Sequence, residues 1–133
     1  MEERIEEEFQ LIRKYYPTLT VSNCKRWGLI ENFRLPSEMS WNKESISVCF
    51  TIPSGYPGSA PYGIYVPSDL QCDVKEPMSF KKVADNKPPF EGDWGMLSWT
   101  PDAGEWKPTS DILIGSNLLN FIKTFHDRFK EGA

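Results

Sequence analysis

Along residues 45–52 the side chains of Ile46, Val48, Phe50 and Ile52 alternate with those of Ser47, Cys49 and Thr51. A period of two belongs to a strand with one face on a core and the other turned outward. The chain must therefore build a sheet and cover one side of it, and the pattern puts Cys49 on the exposed side. The cover comes from the two ends of the sequence. Ile5, Phe9, Ile12 and Tyr16 fall at i, i+4, i+7 and i+11, one apolar stripe of a helix over residues 1–17. Acidic residues crowd its first turns and Arg13 and Lys14 stand near its end, as the helix dipole favours, before Pro17 stops it. At the far end Ile114, Leu118, Phe121, Ile122, Phe125 and Phe129 make a second, wider apolar face. Ser110 or Asp111 is the expected N-cap of that helix, and Gly132 lies past its end.

Between the helices, residues 18–22 and 26–33 read as strand, as do Ile64, Tyr65 and Val66 before Pro67. Three Pro and three Gly punctuate 53–63, a succession of turns. Residues 68–92 read as a long polar loop, and a structureless connection of that length usually carries function. The order predicts one α+β domain over 1–133, a four-stranded antiparallel meander flanked by an N-terminal and a C-terminal helix. Trp27, Ile46, Val48, Phe50, Leu118, Phe121 and Phe125 are its expected core.

Several function classes fall away on composition. Of the 133 residues 39% are hydrophobic and 26% charged, the balance of a folded domain, and the net charge of −4 offers no bulk neutralisation of phosphates, so no nucleic-acid partner is expected. No apolar run reaches the roughly 18–20 residues of a membrane span. The acidic start, MEERIEEEFQ, is unlike a signal peptide, and the expectation is a cytoplasmic protein with no membrane partner. Cys24, Cys49 and Cys72 are odd in number without a CxxC pair, and His126 is the lone histidine, too few ligands for a zinc cage. Neither metal nor cofactor is expected. A Ser-His-Asp triad would need His126, which sits among the apolar residues of the last helix. The glycines at 55, 58 and 63 precede a strand rather than a helix, so they form no phosphate loop.

The segment Gly95-Met96-Leu97-Ser98-Trp99, followed by Trp106-Lys107-Pro108 and Asp111-Ile112, resembles the ubiquitin-conjugating enzymes. Their active-site stretch reads Gly-x-Ile-Cys-Leu, with Trp-x-Pro eight residues past the nucleophile. Laid on it without a gap, Gly95, Leu97, Trp106 and Pro108 match, and Ser98 takes the place of the catalytic Cys. Upstream, Tyr56-Pro57-Gly58-Ser59-Ala60-Pro61 is similar to that family's Tyr-Pro-x-x-Pro-Pro turn. The run GYPGSAPYGIYVP at 55–67, the Ser98-Trp99 pair and GSNLLNFIKTF at 115–125 most resemble a prokaryotic branch, family E of the ubiquitin-conjugating-like proteins. The resemblance spans residues 1–125. It implies a ubiquitin-conjugating fold in a bacterial ubiquitination-like pathway, with a ubiquitin-like modifier, an activating enzyme and a target lysine as partners. The family's His-Pro-Asn motif is missing: Lys87-Pro88-Pro89-Phe90 stands there, and Asn86 is the nearest amide.

By that resemblance Ser98 is the candidate nucleophile, carrying the modifier as an oxyester. The alternatives are an inert replacement in a modifier-binding or scaffold variant, or a substituted cysteine. A serine hydroxyl is a far poorer nucleophile than a thiolate and needs a base and an oxyanion site. Asn86 and Asp93 are candidates to supply a donor and a carboxylate. Asp102 is a further candidate base, as are Glu105 and Asp111. Trp94, Trp99 and Trp106 would wall the site against water, and Trp99, Trp106 and Pro108 are the binding candidates there. The first helix, with Glu6 and Arg13, is where the activating enzyme would dock, and its acidity implies a basic partner surface. Cys72, in the long loop, is the rival nucleophile if exposed.

Overall fold

A computed structural model describes residues 2–77, 79–81, 87–101 and 104–131 of the chain. Three helices, α1 (Glu2–Tyr15), α2 (Leu118–Lys123) and α3 (Phe125–Phe129), accompany six strands. The strands are β1 (Thr20–Val21), β2 (Trp27–Arg34), β3 (Ser45–Thr51), β4 (Ile64–Pro67), β5 (Phe80–Lys81) and β6 (Trp94–Leu97). They form one sheet in the order β1-β2-β3-β4-β6-β5, every pairing antiparallel. The architecture is α+β. It exceeds the expected four-stranded meander because the supposed loop 68–92 contributes β5, and because β6, at the start of the Ser98 segment, inserts between β4 and β5.

The apolar stripe of α1 buries Ile5, Phe9 and Ile12 against Ile30, Val48, Phe50, Ile64, Val66 and Leu97, with Leu118, Phe121, Ile122, Phe125 and Phe129 from the C-terminal helices. Removing each such side chain from water contributes about 1.5–3 kcal/mol. All helices therefore lie on one sheet face. Of the expected core only Trp27 differs; it is half-buried and belongs to the opposite face. The pairing of β2 with β3 shifts register between Ile30 and Phe33, where Asn32 is left-handed (φ 58°). That bulge lets Ile30 and Phe33, three residues apart, reach the same core. Phe33 meets Tyr16, Phe125 and Phe129 there.

Two further expectations are overturned. Cys49 is 0% exposed, because the other sheet face carries its own layer, Cys49 with Tyr65 and Trp94, flanked by Trp27, Leu29, Phe90 and Met96. Alternation in one strand reports which residues share a face, and it does not say whether distant aromatics close over the second face. Burial also pushes the Cys49 thiol well up, away from reactivity. The second correction concerns the C-terminal helix, which begins at Leu118, capped by Asn117 rather than by Ser110 or Asp111. The Asn117 side chain accepts from the Asn120 N–H while Asn120 returns the bond, a reciprocal cap. Thr109 and Asp111 instead hold a turn: the Thr109 hydroxyl donates to the Ile114 carbonyl and the Asp111 carboxylate accepts from the Leu113 N–H. Leu113 and Ile114 are left 73% and 60% exposed. The expected helix end at Gly132 lies outside the described residues.

Candidate functional site

The site is built where β6 ends. Leu97 is the last residue of the strand and fully buried, so the next residue, Ser98, emerges exposed at the sheet's end. Three elements hold it. Its N–H donates to the Ser79 carbonyl at 3.1 Å, continuing the β5–β6 pairing. Its carbonyl accepts from Arg128 Nε at 3.3 Å. Its hydroxyl oxygen accepts from the Tyr62 phenol at 3.2 Å. Arg128 is only 1% exposed and lies on α3, so a cation is fixed directly beneath the Ser98 backbone. Burial lowers its affinity for the proton, yet a guanidinium keeps its charge at neutral pH. A fixed positive charge beside Ser98 favours any negative charge that develops at its side chain.

Tyr62 is placed as firmly. On one side of it the Pro61 carbonyl accepts from the Thr100 hydroxyl at 2.7 Å; on the other the Gly63 N–H donates to the Trp99 carbonyl at 2.7 Å. Gly63 is left-handed (φ 89°), and a Cβ there would stand 2.8 Å from the Met96 sulfur, so a side chain at this join would be strained. The phenol ring itself is half exposed. Reading the sequence missed Tyr62, since it was seen only as part of a turn; its neighbour Pro61, in the turn motif, was the available signal.

The remaining candidates separate into those gathered here and those that are not. Trp99 packs on the core and donates from its indole to the Thr124 hydroxyl at 2.9 Å. Trp106 donates to the Pro57 carbonyl at 2.7 Å and lies against the Tyr56 ring. The 53–63 turn thus supports Tyr62, Trp99 and Trp106 together. Both tryptophans are braces whose ring N–H groups are already committed. Pro108 pairs with Gly115 across the base of the loop that ends in Leu113 and Ile114. Asp93 is not part of the site: it precedes the other end of β6, about 15 Å along the strand from Ser98. There it is exposed and lines an open cleft of 740 Å³ with Glu31, Asp69, Glu91, Phe90 and Trp94, so Trp94, on the sheet face away from the helices, does not wall Ser98 either. Asp111 caps its turn, and Glu105 is exposed in the same loop. Asn86 and Asp102 lie outside the described residues.

Cys72, the rival nucleophile, is 4% exposed, its backbone tied to Lys75 in a tight turn. The exposed thiol is Cys24, in the β1–β2 turn, whose proton is loosened by the Ser22 hydroxyl and then by the Arg26 N–H. Glu6 bridges to Lys25 at 3.5 Å and shares a hollow of 300 Å³ with Arg13, Phe9 and Asn23 beside that turn. His126 packs on the Phe33 ring, 4.9 Å between centroids. Among the described residues no three His, Cys, Asp or Glu side chains are grouped to hold a metal ion, and no helix is long and apolar enough to cross a membrane.

A second buried group also escaped notice. Glu8 is 0% exposed, and its carboxylate accepts from the Tyr56 hydroxyl (2.6 and 2.7 Å), the Leu118 N–H (2.6 Å) and Arg4 Nε (2.9 Å). Arg4 goes on to the Thr109 carbonyl. One carboxylate therefore ties α1 to the 53–63 turn and to the start of α2. Its signal was in the sequence: 5, 8, 9 and 12 are spaced as one helix face, so Glu8 sits in the apolar stripe. Burial and the neighbouring Glu8 charge push the Tyr56 phenol well above its ordinary range.

Compared with models of protein families, with curated proteins and with solved structures, the chain matches none.

Proposed function

We propose that this chain has a ubiquitin-conjugating-like fold and acts as an acyl carrier for a ubiquitin-like modifier, with Ser98 as its nucleophile. The observation that carries the reading is the state of Ser98. The residue that motif order puts at the nucleophile position is exposed, its oxygen is engaged by Tyr62, and its backbone is anchored to a buried arginine. In the loading step Ser98 Oγ attacks the modifier's C-terminal carbonyl, held as a thioester on the activating enzyme. A C–O bond forms, the C–S bond breaks, and the thiol leaves with the serine proton. Discharge to a lysine amine of a target protein then frees Ser98 and forms the amide. Trp99 and Trp106 brace the segments on either side, to the Thr124 hydroxyl and the Pro57 carbonyl, and so hold the exposed Ser98 in place. The activating enzyme is assigned to α1, where Glu6 and Glu7 would meet a basic surface.

The test mixes the protein with modifier, activating enzyme and ATP, and resolves adducts with and without reductant at several salt concentrations. The expected product resists reductant, is cleaved by hydroxylamine, disappears in Ser98→Ala, and forms more slowly as salt rises. No adduct under saturating activating enzyme would leave a modifier-binding scaffold as the function. A reductant-sensitive adduct would move the chemistry to a cysteine, and Cys24 is the exposed one.

A further inference from the structure

An oxygen carrier faces a difficulty that a sulfur carrier does not. When an amine attacks a thioester, the thiol departs easily as its anion, having a pKa near 8.5. An alkoxide is far more basic, so a serine ester releases its acyl group only as a proton reaches Oγ. Among the described residues Tyr62 is the side chain that points a proton at this atom, 3.2 Å away, and the backbone bonds of Pro61 and Gly63 hold it there. We infer that Tyr62 is the catalytic acid of discharge, a role that rests on Ser98 being the carrier. As the acceptor amine adds to the ester carbonyl, the C–N bond forms and the C–Oγ bond breaks. Oγ takes the phenol proton, and the phenolate takes the proton shed by the nitrogen, so the serine hydroxyl and Tyr62 are both restored. In loading the same phenol relays a proton: as Oγ attacks, Tyr62 takes the serine proton and gives its own to the departing sulfur, so the thiol leaves neutral and the phenol is restored.

The experiment compares Tyr62→Phe in two backgrounds, native Ser98 and Ser98→Cys. Each protein is loaded with modifier and isolated, and the loss of adduct to added lysine is timed. Discharge from Ser98 is expected to slow by about 100-fold or more without the phenol, while discharge from Ser98→Cys changes by less than about 3-fold, because a thiolate needs no acid. A Tyr62→Phe protein that fails to load on Ser98 yet loads on Ser98→Cys supports the same assignment. Tyr62 is half exposed, so the substitution leaves the core alone, and unchanged thermal unfolding checks this. Native discharge from Ser98 in Tyr62→Phe overturns the acid role and leaves the carrier reading standing. Equal slowing in both backgrounds, or loss of loading in both, overturns it as well, reducing Tyr62 to a brace. If the wild-type protein forms no adduct, the inference and the carrier reading fall together.

Discussion

Replacing Glu8 by glutamine removes a charge at constant volume, and so isolates what this buried carboxylate does. In the native protein Oε1 accepts from Tyr56 and the Leu118 N–H, and Oε2 accepts from Tyr56 and Arg4 Nε. Glutamine puts an NH2 at one of these positions. Tyr56 can turn its proton away and accept, but the Leu118 N–H or the Arg4 Nε–H then faces another donor. That orphaned donor costs about 1–3 kcal/mol, and the surviving bonds lose the strength that charge gave them. Arg4 also loses its counter-ion, and breaking such a partly buried pair costs up to about 3–5 kcal/mol. A loss of about 3 kcal/mol follows, a substantial share of the roughly 5–15 kcal/mol that holds a domain folded. The melting temperature should fall by about 10 °C. Urea unfolding followed by tryptophan fluorescence measures the loss, with an unchanged slope showing that the native fold persists. Glu7→Gln, exposed on the same helix, is the control and should stay within about 0.5 kcal/mol. A Glu8→Gln protein as stable as that control would refute the claim that this carboxylate joins α1, the turn and α2.

Gly95→Ala tests the edge of the sheet: its Cβ would lie 2.4 Å from the Phe80 ring and 2.8 Å from the Lys81 carbonyl. Strand β5 must move, and urea unfolding should show a loss of about 1–3 kcal/mol, an unchanged midpoint counting against the packing described. Thiol labelling tests the cysteines. Cys24 is exposed with its pKa lowered, first by Ser22 and then by the Arg26 N–H, so its alkylation should reach full rate at lower pH than that of the unfolded protein's thiols. Cys49 and Cys72 should label only on unfolding, and fast labelling of Cys24→Ser would contradict this assignment.

Much of the helix-facing half of the molecule was legible in the sequence, because the signals there are local and periodic. The stripe of α1 and the alternation of β3 each state which residues share a face, and those residues do meet in one core. What escaped depends on partners far along the chain. Cys49 is buried by Tyr65 and Trp94, which no pattern within β3 can announce. Asn32 hides a bulge, since a left-handed residue inside a strand leaves the composition unremarkable. Ile114 fits the period of the last helix and makes its apolar face read as starting before Leu118, while the turn bonds of Thr109 and Asp111 compete with helix formation there. At the candidate site, Ser98 and its bracing tryptophans were found by motif, but Tyr62 lies 36 residues before Ser98 and Arg128 lies 30 after it. Asp93 is near Ser98 in sequence alone, since an extended strand turns five residues into distance rather than proximity.

The two ends of β6 explain why that strand matters beyond its length. Trp94 closes the aromatic layer on the face away from the helices, and its indole N–H is tied to the Phe90 carbonyl. Gly95 leaves room for the far edge of the Phe80 ring and for the Lys81 carbonyl, which lets β5 pair closely and Ser79 accept from Ser98. Leu97 is pinned in the core under the helices, so Ser98 leaves the sheet at a defined point. Its three tethers then come from three places: Ser79 ahead of β5, Tyr62 ahead of β4, and Arg128 on α3. They also act on three different atoms, the amide nitrogen, the hydroxyl and the carbonyl. Removing the Tyr62 phenol therefore leaves both backbone anchors in place, and slowing confined to the Ser98 ester and absent from Ser98→Cys reports proton transfer at Oγ rather than displacement of the residue.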